Sequence, residues 1–552
     1  MTATRGEADG AGTAHTRTTT TSYENSGWSP RLARTYTSGD VGTAVPAVLA
    51  TYDTTTGLPT GSTTDTTPAP GAGMAGTLTI GYDDFGRSTT TTDADNATTT
   101  QAYDAAGRPS VTTWKKTDGT TLGTRTLTYD STTERRGMVT TATDDSFGAI
   151  TGTYNADGAL ESQTLPNGLV ESYVTDPTGT AVDHNQVRSG ITWLHDAQTS
   201  NIHGQWTTWN QDNLSARTYT YNGTGRLITA AANRTGGDPC EKRTYTFDVN
   251  GNRTSLARQA TSAGACATTA TTTLGYDNAD RLTPTGTATG LVYDTWGRIT
   301  TLPAALAGST GNSGSITGAV GNLTNSYYVI DKIAAQAQST YTDTWTLDPA
   351  GRLRKAVLAG TVKINHYDDG TDGPAWVDEG LADGSLVRYI PGLDGGTIGY
   401  VQKATTYTLL KYYLADLHGD IKTASGPTPT GGTPDGNTWD TDEYGNPYTG
   451  ARRYTWLGDH QRSNDALAST IRMGARMYAP GIGRRPQTVS SIVAPFAGRM
   501  PVGAVGGAGG ASWTCPKADG SQSLPPGRPL PSMTEDSRRP PAGRRWRHRR
   551  HR

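Results

Sequence analysis

Short runs of β-branched and aromatic residues alternate with polar, glycine-containing stretches along most of this chain. In the run TTTQAY (98–103) such side chains suit a pleated strand. The polar residues DAAG (104–107) follow at once, and a second strand-like run begins at Arg108. The pattern predicts β-hairpins, each a strand, a tight turn and a returning strand.

One phrase marks the predicted turns: Tyr-Asp, two or three spacer residues, then Gly-Arg or a close variant. The Asp is expected to accept hydrogen bonds from backbone N–H groups just downstream, and the Gly to supply the positive φ of a tight turn. The Arg begins the return strand, with its stem over apolar surface and its head near an Asp. Looser copies lie at 52–59, 154–160, 247–253 and 347–353. The full copies comprise Tyr82, Asp83, Gly86 and Arg87; Tyr103, Asp104, Gly107 and Arg108; Tyr221, Asn222, Gly225 and Arg226; Tyr276, Asp277 and Arg281; and Tyr293, Asp294, Gly297 and Arg298.

The spacing of the copies fits hairpins of ordinary size. The tyrosine spacing is 21 residues from Tyr82 to Tyr103 and 17 from Tyr276 to Tyr293, enough for two strands and two turns. Each copy is too small to bury a hydrophobic face alone, so copies must stack. The repeat therefore predicts an extended all-β structure of antiparallel hairpins with variable loops. The alternative is a Thr/Gly-rich disordered chain in which Tyr-Asp pairs recur by chance.

Composition supports this prediction. The chain has 552 residues, only 33% of them hydrophobic, with 69 Gly, 26 Tyr, 12 Trp and 4 Phe. Tyr and Trp in place of Phe fit a large surface that is wet on at least one side. The net charge of -2 divides into +9 from residue 485 onward and -11 before it, which indicates a boundary near Arg485.

Cysteine usage and hydropathy bear on the compartment. Cys240 and Cys266 flank one repeat and either form a disulfide, if the protein is exported, or remain two thiols. No CxxC pair points to zinc, and Cys515 receives no role. The start has no apolar signal-peptide core, and no apolar run is long enough for a transmembrane helix. We expect the chain to be an internal or C-proximal part of a longer secreted or cell-surface polypeptide.

Five segments are predicted. Residues 1–45 are a polar N-terminal segment with weak strand potential, and 46–300 carry the repeats. Residues 301–340 are a Gly/Ser-rich loop or degenerate repeat, and 341–484 contain one-off motifs. Residues 485–552 form a disordered tail rich in Arg, Pro and Gly. Arg blocks bind polyanions loosely, but no nucleic-acid-binding fold precedes this one, so no nucleic-acid partner is predicted.

The repeats and the one-off motifs together resemble the RHS/YD-repeat family. The motifs are RYIPGLDGG (388–396), YYLADLHGDI (412–421), DEYGNPY (442–448), YTWLGDHQ (454–461) and GARMYAPGIGR (474–484). Their order is similar to that of the RHS-repeat-associated core, and the style resembles actinobacterial members. The resemblance singles out Gly392, Asp394, Gly395, His418, Gly419, Tyr444, Gly445, Trp456, Gly458, Gly474, Arg476, Tyr478, Pro480, Gly483 and Arg484.

The resemblance implies a fold and a role. In this family a long β-sheet spirals into a hollow YD shell, or β-cocoon, closed at one end by the core region. In bacterial members the shell encloses a variable C-terminal toxin. The implied role is structural and non-enzymatic, with no cofactor and with the toxin segment of the parent protein as partner. A closed spiral also leaves few strand edges exposed.

The chain departs from the family near its C-terminal end. Ala479 stands where Asp or Asn is usual, and Arg485-Pro486 follows in place of Phe and an apolar residue. The resemblance stops there, and the tail has the composition of a GC-rich gene read out of frame. We therefore expect a frameshift or truncation that removes the toxin and the aspartates of self-cleavage. General acid–base chemistry needs such a carboxyl group, so no self-cleavage is expected.

Three further groups of residues each have a chemical and a structural interpretation. His418 beside Asp416 and Asp420 is a catalytic or metal site, or else a turn motif. Asp368, Asp369 and Asp372 form a Ca²⁺ loop, or else an ordinary turn. Repeat aromatics stack on glycans in a carbohydrate- or cell-wall-binding protein, or else pack within the shell. Two further alternatives are a self-processing protease component and the product of a damaged gene.

Overall fold

The computed structural model describes residues 1–8, 12–24, 31–65, 73–212, 214–308, 320–428, 433–434, 436–448 and 453–486. Its described elements are almost entirely antiparallel β-strands, which confirms the predicted all-β hairpin fold. Two long sheets account for most strands; we call them the first strip and the second strip. In both strips each strand pairs with the strand that follows it in the chain.

The first strip is a 22-stranded antiparallel meander. Its strands are Thr2–Ala8 (β1), Ala14–Tyr23 (β2), Leu32–Gly39 (β3), Ala47–Tyr52 (β4), Pro59–Asp65 (β5), Thr77–Tyr82 (β6), Ser88–Thr92 (β7), Thr98–Tyr103 (β8), Pro109–Lys115 (β9), Thr121–Thr128 (β10), Thr141–Asp144 (β11), Gly148–Tyr154 (β12), Leu160–Thr164 (β13), Leu169–Thr175 (β14), Ala181–Arg188 (β15), Ile191–Ser200 (β16), Trp206–Gln211 (β17), Ser215–Tyr221 (β18), Leu227–Arg234 (β19), Lys242–Phe247 (β20), Arg253–Ser262 (β21) and Ala265–Thr273 (β22).

A two-stranded sheet separates the strips, Gly275–Tyr276 (β23) with Leu282–Thr283 (β24). The second strip is a 12-stranded meander. Its strands are Val292–Tyr293 (β25), Ile299–Leu302 (β26), Leu323–Tyr327 (β27), Ile333–Gln338 (β28), Tyr341–Leu347 (β29), Leu353–Leu358 (β30), Thr361–His366 (β31), Trp376–Asp378 (β32), Leu386–Pro391 (β33), Thr397–Lys403 (β34), Thr408–Ala415 (β35) and Ile421–Ser425 (β36). The remaining elements are the hairpin Ile471–Met473 (β37) and Arg476–Tyr478 (β38), the helix Ala304–Ala307 (α1), and 3₁₀ turns at Gly286–Ala288 and Leu467–Ser469.

Buried and exposed side chains alternate along single strands, so one face of a strip is buried and the other is exposed. In β18, Ala216, Thr218 and Thr220 are exposed while Arg217 and Tyr219 are buried. Exposed threonines pair across neighbouring strands, as Thr220 and Thr229 do through hydroxyls 2.5 Å apart. Cross-strand Thr pairs stabilise a sheet without apolar surface. The chain therefore forms long sheets despite its low hydrophobic content.

The hydrophobic core lies where the strips meet each other and the last described residues. Ile150 and Leu165 of the first strip pack with Ile390 and Leu414 of the second. Residues 453–484, which we call the closing segment, pack over the second strip. Its Leu467 and Ile482 belong to one buried cluster with Leu302 and Leu323, and its Met477 belongs to another with Trp345.

Three predicted segments gain detail from the structure. Residues 1–45 contain the paired strands β1, β2 and β3, because pairing within a strip supplies hydrogen bonds that weak local propensity does not. Within 301–340 the structure shows α1, β27 and β28, while 309–319 lie outside the described residues. The predicted disordered tail is likewise outside them from residue 487 onward, as is Cys515. The five boundaries remain predictions.

In the part of the chain that the structure describes, no helix has the length and apolar character needed to cross a membrane.

Candidate functional site: the motif turns and the seam between the strips

The turn at 103–108 shows how each part of the repeat phrase acts. The Asp104 N–H donates to the Arg108 carbonyl at 2.8 Å, and the Gly107 N–H donates to the Asp104 carbonyl at 2.9 Å. One carboxylate oxygen of Asp104 accepts the N–H groups of Ala106 and Arg108, and the other accepts Arg108 Nε at 2.8 Å. Gly107 has φ 79°. Asp therefore closes the turn from inside, and hydrogen bonds from the Arg108 N–H and guanidinium hold its pKa below the usual value.

The other full copies have the same geometry, as do the turns at 201–205, 248–252, 328–332, 348–352 and 416–420, and we call all of these motif turns. Asp83, Asn222, Asp277 and Asp294 each accept the backbone N–H groups two and four residues ahead. The glycine position has positive φ throughout, and in the turn at 276–281 Asp280 takes it at φ 57°. The side-chain pairs are Asp83 with Arg87, Asp277 with Arg281, and Asp294 with Arg298, and the glycines are Gly86 (φ 73°), Gly225 (φ 79°) and Gly297 (φ 75°).

The tyrosine of each motif turn reaches back to the hairpin before it. The Tyr103 hydroxyl donates to the carbonyl of Ser88, the first residue after the preceding motif turn, at 2.8 Å. The guanidinium of Arg87 lies over the Tyr103 ring at 4.4 Å, a cation–π contact. Sequence reasoning missed this link because it joins separate hairpins. The same hydroxyl-to-carbonyl bond joins Tyr52 to Leu32, Tyr82 to Pro59, Tyr129 to Pro109, Tyr154 to Val139, Tyr221 to Trp206, Tyr276 to Arg253, Tyr293 to Leu282 and Tyr327 to Ile299.

The one-off motifs of 341–484 contain turns of the same kind. The Asp416 N–H donates to the Asp420 carbonyl at 3.0 Å, and the Gly419 N–H donates to the Asp416 carbonyl at 2.9 Å. Asp442 and Gly445 repeat this pattern, Gly392 bonds to Gly396, and Ala479 bonds to Arg484. The positive-φ residues of these turns are Gly395 (φ 89°), Gly419 (φ 83°), Gly445 (φ 83°) and Gly483 (φ 65°).

The other residues singled out in these motifs take up packing and turn positions. Trp456 and Tyr478 stack with ring centroids 5.3 Å apart, and Tyr444 lies 5.3 Å from the ring of Tyr245. The Gly396 N–H donates to Asp394, and the Gly458 N–H to the Thr455 carbonyl. Gly474 has φ 64° between β37 and β38, Arg476 lies on β38, the Pro480 carbonyl accepts the Gly483 N–H, and Arg484 lies over the Tyr276 ring.

Motif turns of the second strip lie on the opposite edge of the first strip, and we call this contact the seam. Apart from two local reversals, at Arg17 and Thr43 and at Arg125 and Asp144, the partners of the first strip follow in chain order along the second strip and then along residues 440–481, as in a sheet that winds round and returns beside itself. In chain order of the first strip the bonded pairs are Arg17 with Val329, Thr43 with Tyr327, Gly73 with Leu347, Asp95 with Arg354, Trp114 with Asp368, Arg125 with Pro391, Asp144 with Arg388, Gln163 with Leu393, Gln186 with Ala415, Asp196 with Leu417, Arg217 with Asp440, Arg243 with Glu443 and Arg253 with Gly481.

Buried charges within the seam are paired. Arg388 binds both carboxylate oxygens of Asp144, and both residues are almost fully buried. Lys422 and Arg217 share Asp440, and these two cations lower the pKa of that carboxyl to about 2 against the opposing effect of burial. Removing one partner of such a pair leaves an uncompensated buried charge, at a cost of roughly 3–5 kcal/mol.

The structure assigns turn and pairing contacts to the candidate metal residues. His418 Nδ1 lies 2.8 Å from Asp420, and Asp416 accepts the His418 N–H. Asp368 accepts the Trp114 indole N–H and Asp372 pairs with Arg462, so their carboxylates serve different partners. No group of three or more His, Cys, Asp or Glu side chains among the described residues is placed to hold a metal ion.

Cys240 and Cys266 form a disulfide. It links the loop after β19 to the start of β22, and Asp238 in the same loop bonds to Thr261 on β21. The link closes a loop of 26 residues around two hairpins.

Comparisons with known proteins agree with this geometry. The family model described as RHS Repeat matches residues 82–121, which include the motif turns at Tyr82 and Tyr103. No curated protein matches the chain.

Solved structures show the same fold. The crystal structure of TcdB2-TccC3 matches with TM-score 0.57 and 14% identity over 88% of this chain and 27% of that chain. TcdB2-TccC3 without its hypervariable C-terminal region and TcdB2-TccC3-Cdc42 both match with TM-score 0.52 and 14% identity, over 88% of this chain and 26% of each of those chains. This chain thus spans about a quarter of the length of the chains it matches. Residues 82–121 thus carry an RHS repeat, and the chain shares the fold of these solved structures.

Proposed function

We propose that this chain is a structural wall segment of a larger hollow shell, in a secreted or cell-surface toxin protein. The seam supports the proposal: the chain builds one winding, then lays a second winding on its edge in register. One of the similar structures is TcdB2-TccC3 without its hypervariable C-terminal region. By analogy, the enclosed partner is the C-terminal toxin segment of the parent protein, which we place outside residues 1–486.

We further propose that the described residues perform no catalysis. Ala479 takes the place where the family resemblance expects an acidic residue or Asn, and its methyl group cannot transfer a proton. It lies buried, with its N–H bonded to the Arg484 carbonyl. The side chains of the motif residues are likewise hydrogen-bonded within their own turns or to the preceding hairpin.

The first strip's free edge is proposed to contact a further winding. Apolar residues at the tips of its motif turns are exposed, with Phe85 83%, Ile202 96% and Val249 93% accessible. The matching positions in the second strip are buried by the seam: Trp296 corresponds to Phe85 and is 1% accessible, and Leu417 corresponds to Ile202 and is 6% accessible. Exposed apolar rows of this kind mark interaction surfaces. We call Phe85, Ile202 and Val249 the rim.

The partner at the rim is another hairpin strip of comparable width. A second copy of this chain fits poorly at the rim. In that copy the second strip already covers one edge of the 22-stranded first strip, and the edge that remains for pairing belongs to the second strip of only 12 strands. A separate YD-type strip, from a longer or different polypeptide, would meet the rim as the first strip meets Trp296 and Leu417.

Photocrosslinking tests the rim. A photoreactive phenylalanine analogue at position 202 or 249, in the full chain within its source cells, is expected to form an adduct. Mass spectrometry should find peptides of a polypeptide that carries Tyr-Asp/Gly-Arg hairpins. Position 170, exposed on a strand face, is the control. An equal yield from position 170, or adducts free of such peptides, would contradict the shell assignment.

A further inference from the structure

A cleft of about 450 Å³ opens on one face of the second strip. Ligand sites of roughly 300–1,000 Å³ are typical of small molecules. Side chains of β33, β34, β35 and β36 form its floor, and Trp439 and Tyr454 contribute walls. The cleft lies away from the rim and from the motif turns, so neither the repeat nor the seam explains its composition.

Strand register brings the aromatic side chains of the floor together. Tyr389 is paired with Tyr400, and Tyr413 with Ala424, so all four side chains stand on the same face. The Tyr400 and Tyr413 rings have centroids 5.5 Å apart and planes inclined by 53°. Ala424 keeps the floor low between the larger residues on either side. Trp439 borders the same space, since its backbone N–H donates to the carbonyl of Lys422 in β36.

The polar groups of the cleft are mostly uncharged or internally neutralised. Arg453 binds both carboxylate oxygens of Glu379 and donates to the Tyr389 hydroxyl at 2.9 Å. Burial raises the pKa of Tyr389 and of Tyr413, so both phenols remain protonated near neutral pH. The amides of Gln402 and Asn437 line the mouth. Phenols and amides both donate and accept hydrogen bonds.

This composition selects among ligand classes. Lys411 is the one further cation in the lining, whereas phosphate sites gather several donors of fixed geometry. An acyl chain would leave the polar half of the lining unsatisfied. A neutral sugar offers apolar C–H faces for aromatic rings and hydroxyls for amides and phenols.

We propose that this cleft binds a short, uncharged oligosaccharide, with one pyranose ring against the faces of Trp439 and Tyr413 and hydroxyls bonded to Gln402 and Asn437. The assignment is independent of the shell role, because the cleft uses neither the rim nor the seam.

Calorimetric titration of the full 552-residue chain tests the site, with cellohexaose, chitohexaose and maltohexaose as probes. At least one should bind with micromolar to millimolar affinity. Trp439→Ala should weaken that binding at least tenfold, which is about 1.4 kcal/mol. Ala424→Leu should weaken it comparably by filling the floor while leaving every aromatic ring in place. Phe85→Ala, which removes an exposed aromatic far from the cleft, should bind as the parent does.

Two results would overturn the site: no heat with any of the three sugars at millimolar concentration, or unchanged affinity in both Trp439→Ala and Ala424→Leu. If either variant does not fold by circular dichroism, Gln402→Leu at the partly exposed mouth replaces it and should still weaken binding several-fold. Rim crosslinking remains a separate outcome, so loss of the sugar site would leave the shell assignment standing.

Discussion

At the scale of single residues, most charged side chains either form hydrogen bonds that close turns or form ion pairs between the first strip and the second. Several buried carboxyls, among them Asp196, Asp343 and Glu171, have no such partner, and Glu171 on β14 is the one with the clearest surroundings. It is almost fully buried, and its carboxyl accepts Gln163 Nε2 at 2.6 Å. Gln163 in turn accepts the Leu393 N–H of the seam at 3.0 Å. Its hydrogen-bond partners Gln163 and Tyr173 carry no positive charge. Burial therefore raises the pKa of Glu171 to about 8, and the charge of Asp394 adds to the rise.

Glu171 should make stability fall as pH rises. A folded-state pKa above the unfolded value means that the folded state holds the proton more tightly. The stabilisation is therefore complete below about pH 4.5 and is lost as pH rises through 8, by up to ~1.4 kcal/mol per pH unit. Burial also raises the pKa of Asp343 to about 7 and the pKa values of Asp196 and Asp459 well above the usual range, so the contribution of Glu171 between pH 6 and 8 is the difference between the parent and a variant that lacks its carboxyl.

Urea denaturation at pH 6, 7 and 8 measures this effect. The midpoint of Glu171→Gln should decline less across that window than the parent midpoint, because the other buried carboxyls still titrate in the variant. Glu161→Gln, which alters an exposed acid one strand away, should decline like the parent. Parallel curves for Glu171→Gln and the parent would exclude a protonated Glu171.

The role of a residue could be predicted from the sequence where its hydrogen-bond partners lie within a few residues of it along the chain. The roles of Asp104 and Gly107 follow from turn chemistry four residues long. The bond from the Tyr103 hydroxyl to the Ser88 carbonyl does not, because its partners are 15 residues apart on different hairpins. No local sequence preference specifies a hydrogen bond over that separation. The bonds from tyrosine hydroxyls to the preceding hairpin therefore become visible only in the folded structure.

At the scale of elements, the motif turns other than the one after Tyr276 share a β-bulge that the sequence pattern did not predict. Tyr103 pairs with Pro109 while Ala102 pairs with Val111, so Ser110 is an extra residue in β9. A bulge bends its strand and increases the local twist. Repeated on one edge of a strip, it turns a flat meander into a winding one. The same register shift precedes the turns at Tyr52, Tyr82, Tyr154, Tyr221, Phe247, Tyr293, Tyr327 and Leu347.

Deletion of Ser110 should therefore be far more damaging than its substitution. Without the extra residue, the remainder of β9 shifts by one and its side chains change faces. Trp114, which is buried against Asp368, would then turn outward. Thermal melting followed by circular dichroism should show a fall of many degrees or no folded state. Ser110→Ala, the matched control, keeps the residue count and should melt within a few degrees of the parent. Similar melting of the two variants would mean that the bulge does not set the register.

At the scale of the whole molecule, hairpins could be predicted from the sequence but their winding could not. Alternation and turn residues act within one hairpin, whereas the partners of the seam lie 200 to 312 residues apart, as Arg243 and Glu443 or Arg17 and Val329 do. The resemblance to shell proteins supplied the expectation of a spiral. The structure shows which turns of the second strip contact which residues on the edge of the first strip. It also shows that the one-off motifs are largely motif turns that the seam buries.

Two turns of nearly identical sequence test whether the seam holds the windings together. Ile202 and Leu417 occupy the same position in NIHG (201–204) and DLHG (416–419), but Ile202 is solvent-exposed whereas Leu417 is buried and its N–H donates to Asp196 at 2.9 Å. Leu417→Asp would place a carboxylate beside Asp196 with no cation to spare, since Lys422 already serves Asp440. The expected loss in the free energy of unfolding is about 3 kcal/mol or more. Ile202→Asp should change it by less than about 0.5 kcal/mol. Chemical denaturation of both variants decides the matter: if Leu417→Asp is as stable as Ile202→Asp, the second winding does not rest on the first.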